Sequence, residues 1–131
     1  QHLGSHHALV VHGEDGLDEI SISAPTQIWE LKDGSIRGYT VTPEELGLER
    51  ADADSIRGGS AEDNVEAMRR VLSGERGPAR DVVLLNAAAA LTAGDAVRTL
   101  REGVVRAAEA IDNGSAFGKL LALADLSQTL T

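Results

Sequence analysis

The chain has 131 residues, a length that suits one domain and lets it bury roughly two-thirds of its unfolded surface without staples. Hydrophobic residues make up 42% of it but aromatic ones only 2%, so the core must be assembled from Ala, Val, Leu and Ile. The net charge of −9 opposes a nucleic-acid or anionic-membrane partner for the surface as a whole, and the lack of cysteine excludes disulfides and thiolate chemistry.

The sequence passes at once from "LGSHH" into the apolar run "HALVVHG", an onset that reads as part of a longer chain. This run predicts a short strand buried on both faces. "EISIS" alternates and predicts a second strand, with Ile20 and Ile22 on one face and Ser21 and Ser23 on the other, ended by Pro25. "TQIWELKDG" alternates too, with Ile28 and Glu30 opposite Trp29 and Leu31. Asp33-Gly34 marks a tight hairpin turn, and "SIRGYTVT" returns as the partner strand. "TPEELGL" reads as one helical turn with Thr42 as cap and Pro43 in the first helical position. Residues 49–60 are polar and glycine-containing, and read as a loop.

Helical periodicity follows. Ser60 caps "AEDNVEAMRRVLSG", whose expected apolar face is Val65, Met68, Val71 and Leu72. "DVVLLNAAAALTAG" is apolar nearly all round and predicts a central buried helix. "TLREGVVRAAEAIDNG" opens on a capping box, Thr99 to Glu102, and closes at Asn113-Gly114. Ser115 caps a last helix with Phe117, Leu120, Leu121 and Ala124 on one face. Residues 8–42 are therefore strands and a hairpin and residues 43–131 a helical part, in one unit over residues 1–131. That order implies α/β or α+β layers. No apolar stretch reaches about 18 residues without a charge, nor does anything resemble a secretory leader, so a cytoplasmic location is expected. Asn113 heads an Asn-Gly-Ser sequon, but here it serves as a helix-ending turn.

"HGEDGLDE" gathers Glu14, Asp15, Asp18 and Glu19 between apolar segments. Two ionised carboxylates about 4 Å apart repel by about 1 kcal/mol in water and about 4 at an effective dielectric of about 20. Such a turn must face water or a cation. Mg²⁺ commonly takes one or two protein carboxylates and leaves its other positions to water and phosphates, which suits an Asp18-Glu19 pair better than a calcium cage does. An acidic turn of this kind is more often only a solvated loop, so both readings stand on pattern. Were Asp18 the start of a strand, it and Glu19 would lie on opposite faces; they share an ion only from a turn, or each holds a different ion. His12 at a strand end is more often structural than a ligand, and His2, His6 and His7 read as a frayed terminal cluster.

"HALVVHGEDGLDEIS", "IWELKDG", "YTVTPEELGL", "GGSAEDN", "VLSGERGPARDVVLLNAAAAL" and "AAEAIDNGSAFGKL", in this order, resemble the carboxy-terminal part of the anthranilate phosphoribosyltransferases. The resemblance runs over essentially the whole chain, and "HGEDGLDE" and "GPARDVVLLNAAAAL" are its most specific blocks. It implies the C-terminal part of a nucleoside phosphorylase/phosphoribosyltransferase-type α/β domain, with strands and a hairpin followed by about four helices. It further implies transfer of a phosphoribosyl group from phosphoribosyl diphosphate to anthranilate in tryptophan biosynthesis. Mg²⁺ is the implied cofactor, with Asp18 and Glu19 as its ligands; no catalytic residue is carried over.

The family's Gly-Thr-Gly-Gly-Asp and Lys-His-Gly-Asn segments do not occur in this sequence. Its anthranilate-binding residues and dimer-forming helical domain likewise find no counterpart. The resemblance thus covers roughly the last 40% of such an enzyme, and the chain alone is expected to be inactive and to expose apolar surface. A homodimer is expected for the full-length enzyme, with no membrane or nucleic-acid partner. Three other readings compete: a pyrimidine nucleoside phosphorylase, a nucleic-acid-binding relative of the family, and an acidic, non-catalytic interaction domain.

Overall fold

A computed structural model describes residues 4–129. Strands β1 (His7–Gly13), β2 (Thr26–Lys32) and β3 (Ser35–Val41) form one antiparallel sheet in the order β1-β2-β3. Asp33 and Gly34, at φ of 49° and 75°, make the two-residue link between β2 and β3, as the Asp-Gly signal predicted. Pairing runs Leu9–Glu30–Arg37, Val11–Ile28–Tyr39 and Gly13–Thr26–Val41 on the face toward the helices. Ile28 and Thr26 are fully buried there, and Val41 nearly so.

The other face carries Val10–Trp29–Gly38 and Ala8–Leu31–Ile36. Val10 is 67% exposed and Trp29 58% exposed. The expectation that β1 is buried on both faces is therefore wrong for this chain: β1 is an edge strand with one open face. The Trp29 indole lies on Gly38, where a Cβ would come within 2.8 Å of the ring.

"EISIS" is not a strand. Ile20, Ser21 and Ile22 are consecutively buried, without alternation, and their backbone groups bond outside any ladder. The Ser21 N–H donates to Thr26 Oγ1 at 3.0 Å, and the Ile22 carbonyl accepts from the Ala51 N–H at 3.1 Å. Side chains and a distant loop supply the partners that a neighbouring strand would have supplied.

Pro43 precedes a 3-10 turn, Glu44–Leu46; Thr42 Oγ1 accepts from the Glu45 N–H. A second 3-10 turn, Ala53–Ile56, lies within the expected loop. Four helices follow: α1 (Ala61–Leu72), α2 (Pro78–Ala93), α3 (Leu100–Asp112) and α4 (Ser115–Thr129). Ser60 and Asp63 form a reciprocal capping box on α1. Only Val71 of α1 is buried; Val65 and Met68 are about half exposed, because α1 meets the core by its C-terminal end alone. Helix α2 begins at Pro78, which fits the first helical position, where no N–H is needed. It buries Arg80, Leu84, Leu85, Ala88 and Thr92 but leaves Val83 exposed, so it is central without being enclosed.

Thr99 caps α3, but the Glu102 carboxylate reaches back to the Arg98 N–H rather than to that of Thr99. Ser115 does not cap α4 with its side chain: Asn113 Oδ1 accepts from the Ser115 N–H, and the Ser115 hydroxyl donates to the Ala110 carbonyl. No residue of α4 is buried, and Phe117 and Leu120 are only half-buried.

Helices α2 and α3 touch backbone to side chain at Gly103, where a Cβ would stand 2.8 Å from the Cα and Cβ of Ala88. Arg80, nearly buried, donates to Asp112 at 2.8 Å across the same pair. The aliphatic core lies between these helices and the inner sheet face, as the scarcity of aromatics required.

Candidate functional site

The acidic loop, residues 14–25, leaves β1 and returns to β2 without regular structure. It is nevertheless closely bonded. Gly16, at φ 91°, turns the chain so that the Gly13 N–H meets the Leu17 carbonyl at 2.8 Å and the Glu14 N–H meets the Pro25 carbonyl at 2.9 Å. Gly13 has no room for a side chain: a Cβ would lie 2.5 Å from the Asp15 carboxylate and 3.1 Å from Ser21 Cβ. Arg50 closes the far end with a bond from Nη1 to the Ser23 carbonyl at 3.2 Å.

The four carboxylates divide into two kinds. Asp15 turns inward. It accepts from the Ser21 hydroxyl at 2.5 Å, from the Ser23 hydroxyl and from the Leu17 N–H at 3.2 Å. The Ser21 bond first, then that of Ser23, holds its carboxyl below the usual carboxylate range. Glu14 accepts from Gln27 Nε2 at 3.2 Å. Asp18 and Glu19 are exposed; no hydrogen bond or ion pair engages either among the described residues. They lie in bends between Leu17 and Ile20 and not on a strand, so the alternation that would have set them on opposite faces does not apply.

Helix α2 supplies a residue that sequence reading missed. Asn86 Oδ1 accepts from the Ile20 N–H at 2.8 Å, while Nδ2 donates to the carbonyls of Ile20 and Val82, each at 3.0 Å. The amide can face only this way, since an N–H donates and carbonyls only accept. The signal was present: one amide inside the apolar run "VVLLNAAAAL" needs a partner once buried.

The histidines separate. His12 is exposed on the outer sheet face. His6 is exposed, 3.9 Å from Asp33, and His2 lies outside the described residues. His7 is not frayed: its ring is 2% exposed and bonds Glu30 through Nε2 at 3.0 Å and Asp95 through Nδ1 at 2.9 Å. Burial pushes Glu30 up, but the bonds from Arg37 and then His7 outweigh it and leave the carboxyl below its ordinary value. This cluster ties the sheet to the turn after α2, and His7 stands at the end of β1 opposite the acidic loop. Among the described residues no three His, Asp or Glu side chains converge as a metal cage. A pair of free carboxylates is nonetheless a fitting donor set for Mg²⁺, which needs few protein ligands.

A family model described as "Glycosyl transferase family, a/b domain" matches residues 1–117. The chain belongs to that family. The anthranilate phosphoribosyltransferase of Symbiobacterium thermophilum is 63% identical over 114 residues, covering 87% of this chain and 33% of the relative. The solved anthranilate phosphoribosyltransferase of Thermus thermophilus superposes with a TM-score of 0.76 at 40% identity, over 85% of this chain and 32% of that one. The Saccharomyces cerevisiae enzyme, solved in complex with PRPP and Mg, gives a TM-score of 0.77 at 26% identity, over 86% and 32% respectively. The α/β fold and the kinship expected from the motifs thus stand. The chain spans about a third of the length of these relatives.

Proposed function

We propose that this chain forms part of an anthranilate phosphoribosyltransferase and contributes the Asp18-Glu19 pair as the seat of Mg²⁺. In this reading the full-length enzyme transfers a phosphoribosyl group from phosphoribosyl diphosphate to anthranilate. It is a homodimer, cytoplasmic, and acts in tryptophan biosynthesis. The observation that carries the reading is the division of the acidic loop: Glu14 and Asp15 are engaged by side chains of this chain, whereas Asp18 and Glu19 are held at the surface with no partner among the described residues. The likeness to an enzyme solved with PRPP and Mg supports it.

The chain's own residues do three things. Asp15, with Ser21 and Ser23, folds the loop back on itself. Gly13 and Gly16 permit that tight course. Asp18 and Glu19 then project two negative charges from a fixed backbone, a donor pair for a hard cation. A bound Mg²⁺ supplies charge compensation and orientation to diphosphate oxygens.

The test uses the full-length enzyme with Asp18→Asn and Glu19→Gln. The Mg²⁺ needed for half-maximal phosphoribosyl transfer should rise about tenfold or more, by the scale of losses at metal-site residues. Full speed at an unchanged Mg²⁺ requirement sinks the reading. Parallel assays with anthranilate and with pyrimidine nucleosides identify the acceptor.

A further inference from the structure

Residues 18 and 19 cannot hold an ion well on a loose loop, since a site must be fixed to within a fraction of an ångström before its ligand arrives. Their loop has no ladder to fix it. What immobilises the chain immediately after Glu19 is one side chain from a helix 66 residues away: the Asn86 carboxamide bonds both the N–H and the carbonyl of Ile20. A third bond, from Nδ2 to the Val82 carbonyl one turn earlier, locks the amide against its own helix. Ile20 itself is 2% exposed and cannot turn to water for other partners.

We propose that Asn86 is a positioning residue for the Asp18-Glu19 pair: it clamps Ile20 to α2 and thereby sets where the two carboxylates stand. This rests on the reading of that pair as a Mg²⁺ seat. Asn86 is not itself a ligand, because all the polar atoms of its side chain are occupied by backbone groups. The clamp makes the acidic loop an extension of the central helix α2 rather than a freely moving connection. It also gives a reason for a polar residue in an otherwise apolar stretch of α2.

The experiment follows Mn²⁺ titration of the 131-residue chain by paramagnetic broadening of backbone amide signals, a readout independent of turnover. In the unaltered chain, broadening should centre on residues 18–19, and the Ile20 amide should exchange with solvent far more slowly than those of Asp18 and Glu19. Asn86→Leu, alike in branched shape but bulkier and unable to bond, should speed Ile20 exchange and raise the Mn²⁺ needed for half broadening about tenfold. Ile111→Ala, a core truncation on α3, lowers the melting temperature but should leave the titration unchanged, which separates positioning from stability. An Asn86→Leu titration that matches the unaltered chain overturns the positioning role and leaves the metal seat standing. Unchanged broadening in the Asp18→Asn, Glu19→Gln double variant overturns the seat, and the positioning role with it. Should Asn86→Leu fail to fold, the unaltered chain decides: Ile20 exchange as fast as that of Asp18 overturns the clamp, and slow exchange sustains it.

Discussion

Gly103→Ala and Gly118→Ala are the same chemical change on two helices, yet they should act in opposite directions. Alanine is favoured over glycine in a helix interior by about 0.8–1.0 kcal/mol, and both sites collect that gain. At Gly118 a new Cβ meets nothing within 4 Å, so the gain stands alone. At Gly103 the Cβ would lie 2.8 Å from the Cα and Cβ of Ala88 and 2.9 Å from its carbonyl oxygen. Carbon atoms pack best at about 3.5–4.0 Å, so the helices must part by several tenths of an ångström or more. The obstacle is the backbone of α2, which cannot rotate aside. Overpacking of this kind costs about 1–3 kcal/mol, leaving Gly103→Ala destabilised by about 0–2 kcal/mol and separated from Gly118→Ala by about 1–3. With an unfolding entropy of about 2.1 cal/mol/K per residue, a 2 kcal/mol separation is about 7 °C in melting temperature for a chain of this size. Thermal unfolding followed by circular dichroism measures it. A Gly103→Ala chain that melts at or above Gly118→Ala refutes the close α2–α3 packing.

Three further outcomes are expected. Asp15 is held below its ordinary range chiefly by the Ser21 hydroxyl, so its contribution to stability is present above the unfolded carboxylate value of about 4 and is lost as pH falls through the lowered native one. Acid titration should therefore destabilise the unaltered chain more steeply below about pH 4 than it does Asp15→Asn; parallel curves would contradict the inward role of Asp15. Trp29 is the sole tryptophan and lies on the open sheet face with Val10 and Ile36. An apolar dye should bind there and take up its fluorescence by energy transfer, and Val10→Lys with Ile36→Lys should abolish the signal; an unaffected signal places the exposed apolar surface elsewhere. Finally, the 131-residue chain alone should give no phosphoribosyl transfer to anthranilate, and measurable turnover by it would show that the chain holds a complete site.

Much of this architecture is local and was legible in the sequence. The Asp33-Gly34 turn follows from its need for positive φ at both positions. Ser60 and Thr99 mark helix starts because each supplies a bond at an end where N–H groups have no helical partner, whereas α2 opens at Pro78, three residues before the expected start at Asp81. The motif blocks led to the family, and the adjacency of Asp18 and Glu19 named a candidate donor pair. Periodicity failed where burial depends on what lies beyond the element. "EISIS" has the pattern of a strand, but Ile20, Ser21 and Ile22 are all buried, because Asn86, Thr26 and Ala51 approach from elsewhere in the chain. Val65 and Met68 form an apolar stripe that this chain does not cover. His7, one of a terminal cluster on paper, is enclosed between Glu30 and Asp95 once β1 pairs with β2 and the turn after α2 arrives. Sequence alone thus determined the elements whose hydrogen bonds close within a few residues, and that four carboxylates gather in one turn. Tertiary structure alone decided which carboxylates are spent on the fold and which remain free: Asp95 is bound by His7, 88 residues away in sequence, and Glu14 and Asp15 by side chains that the folded loop brings back to them.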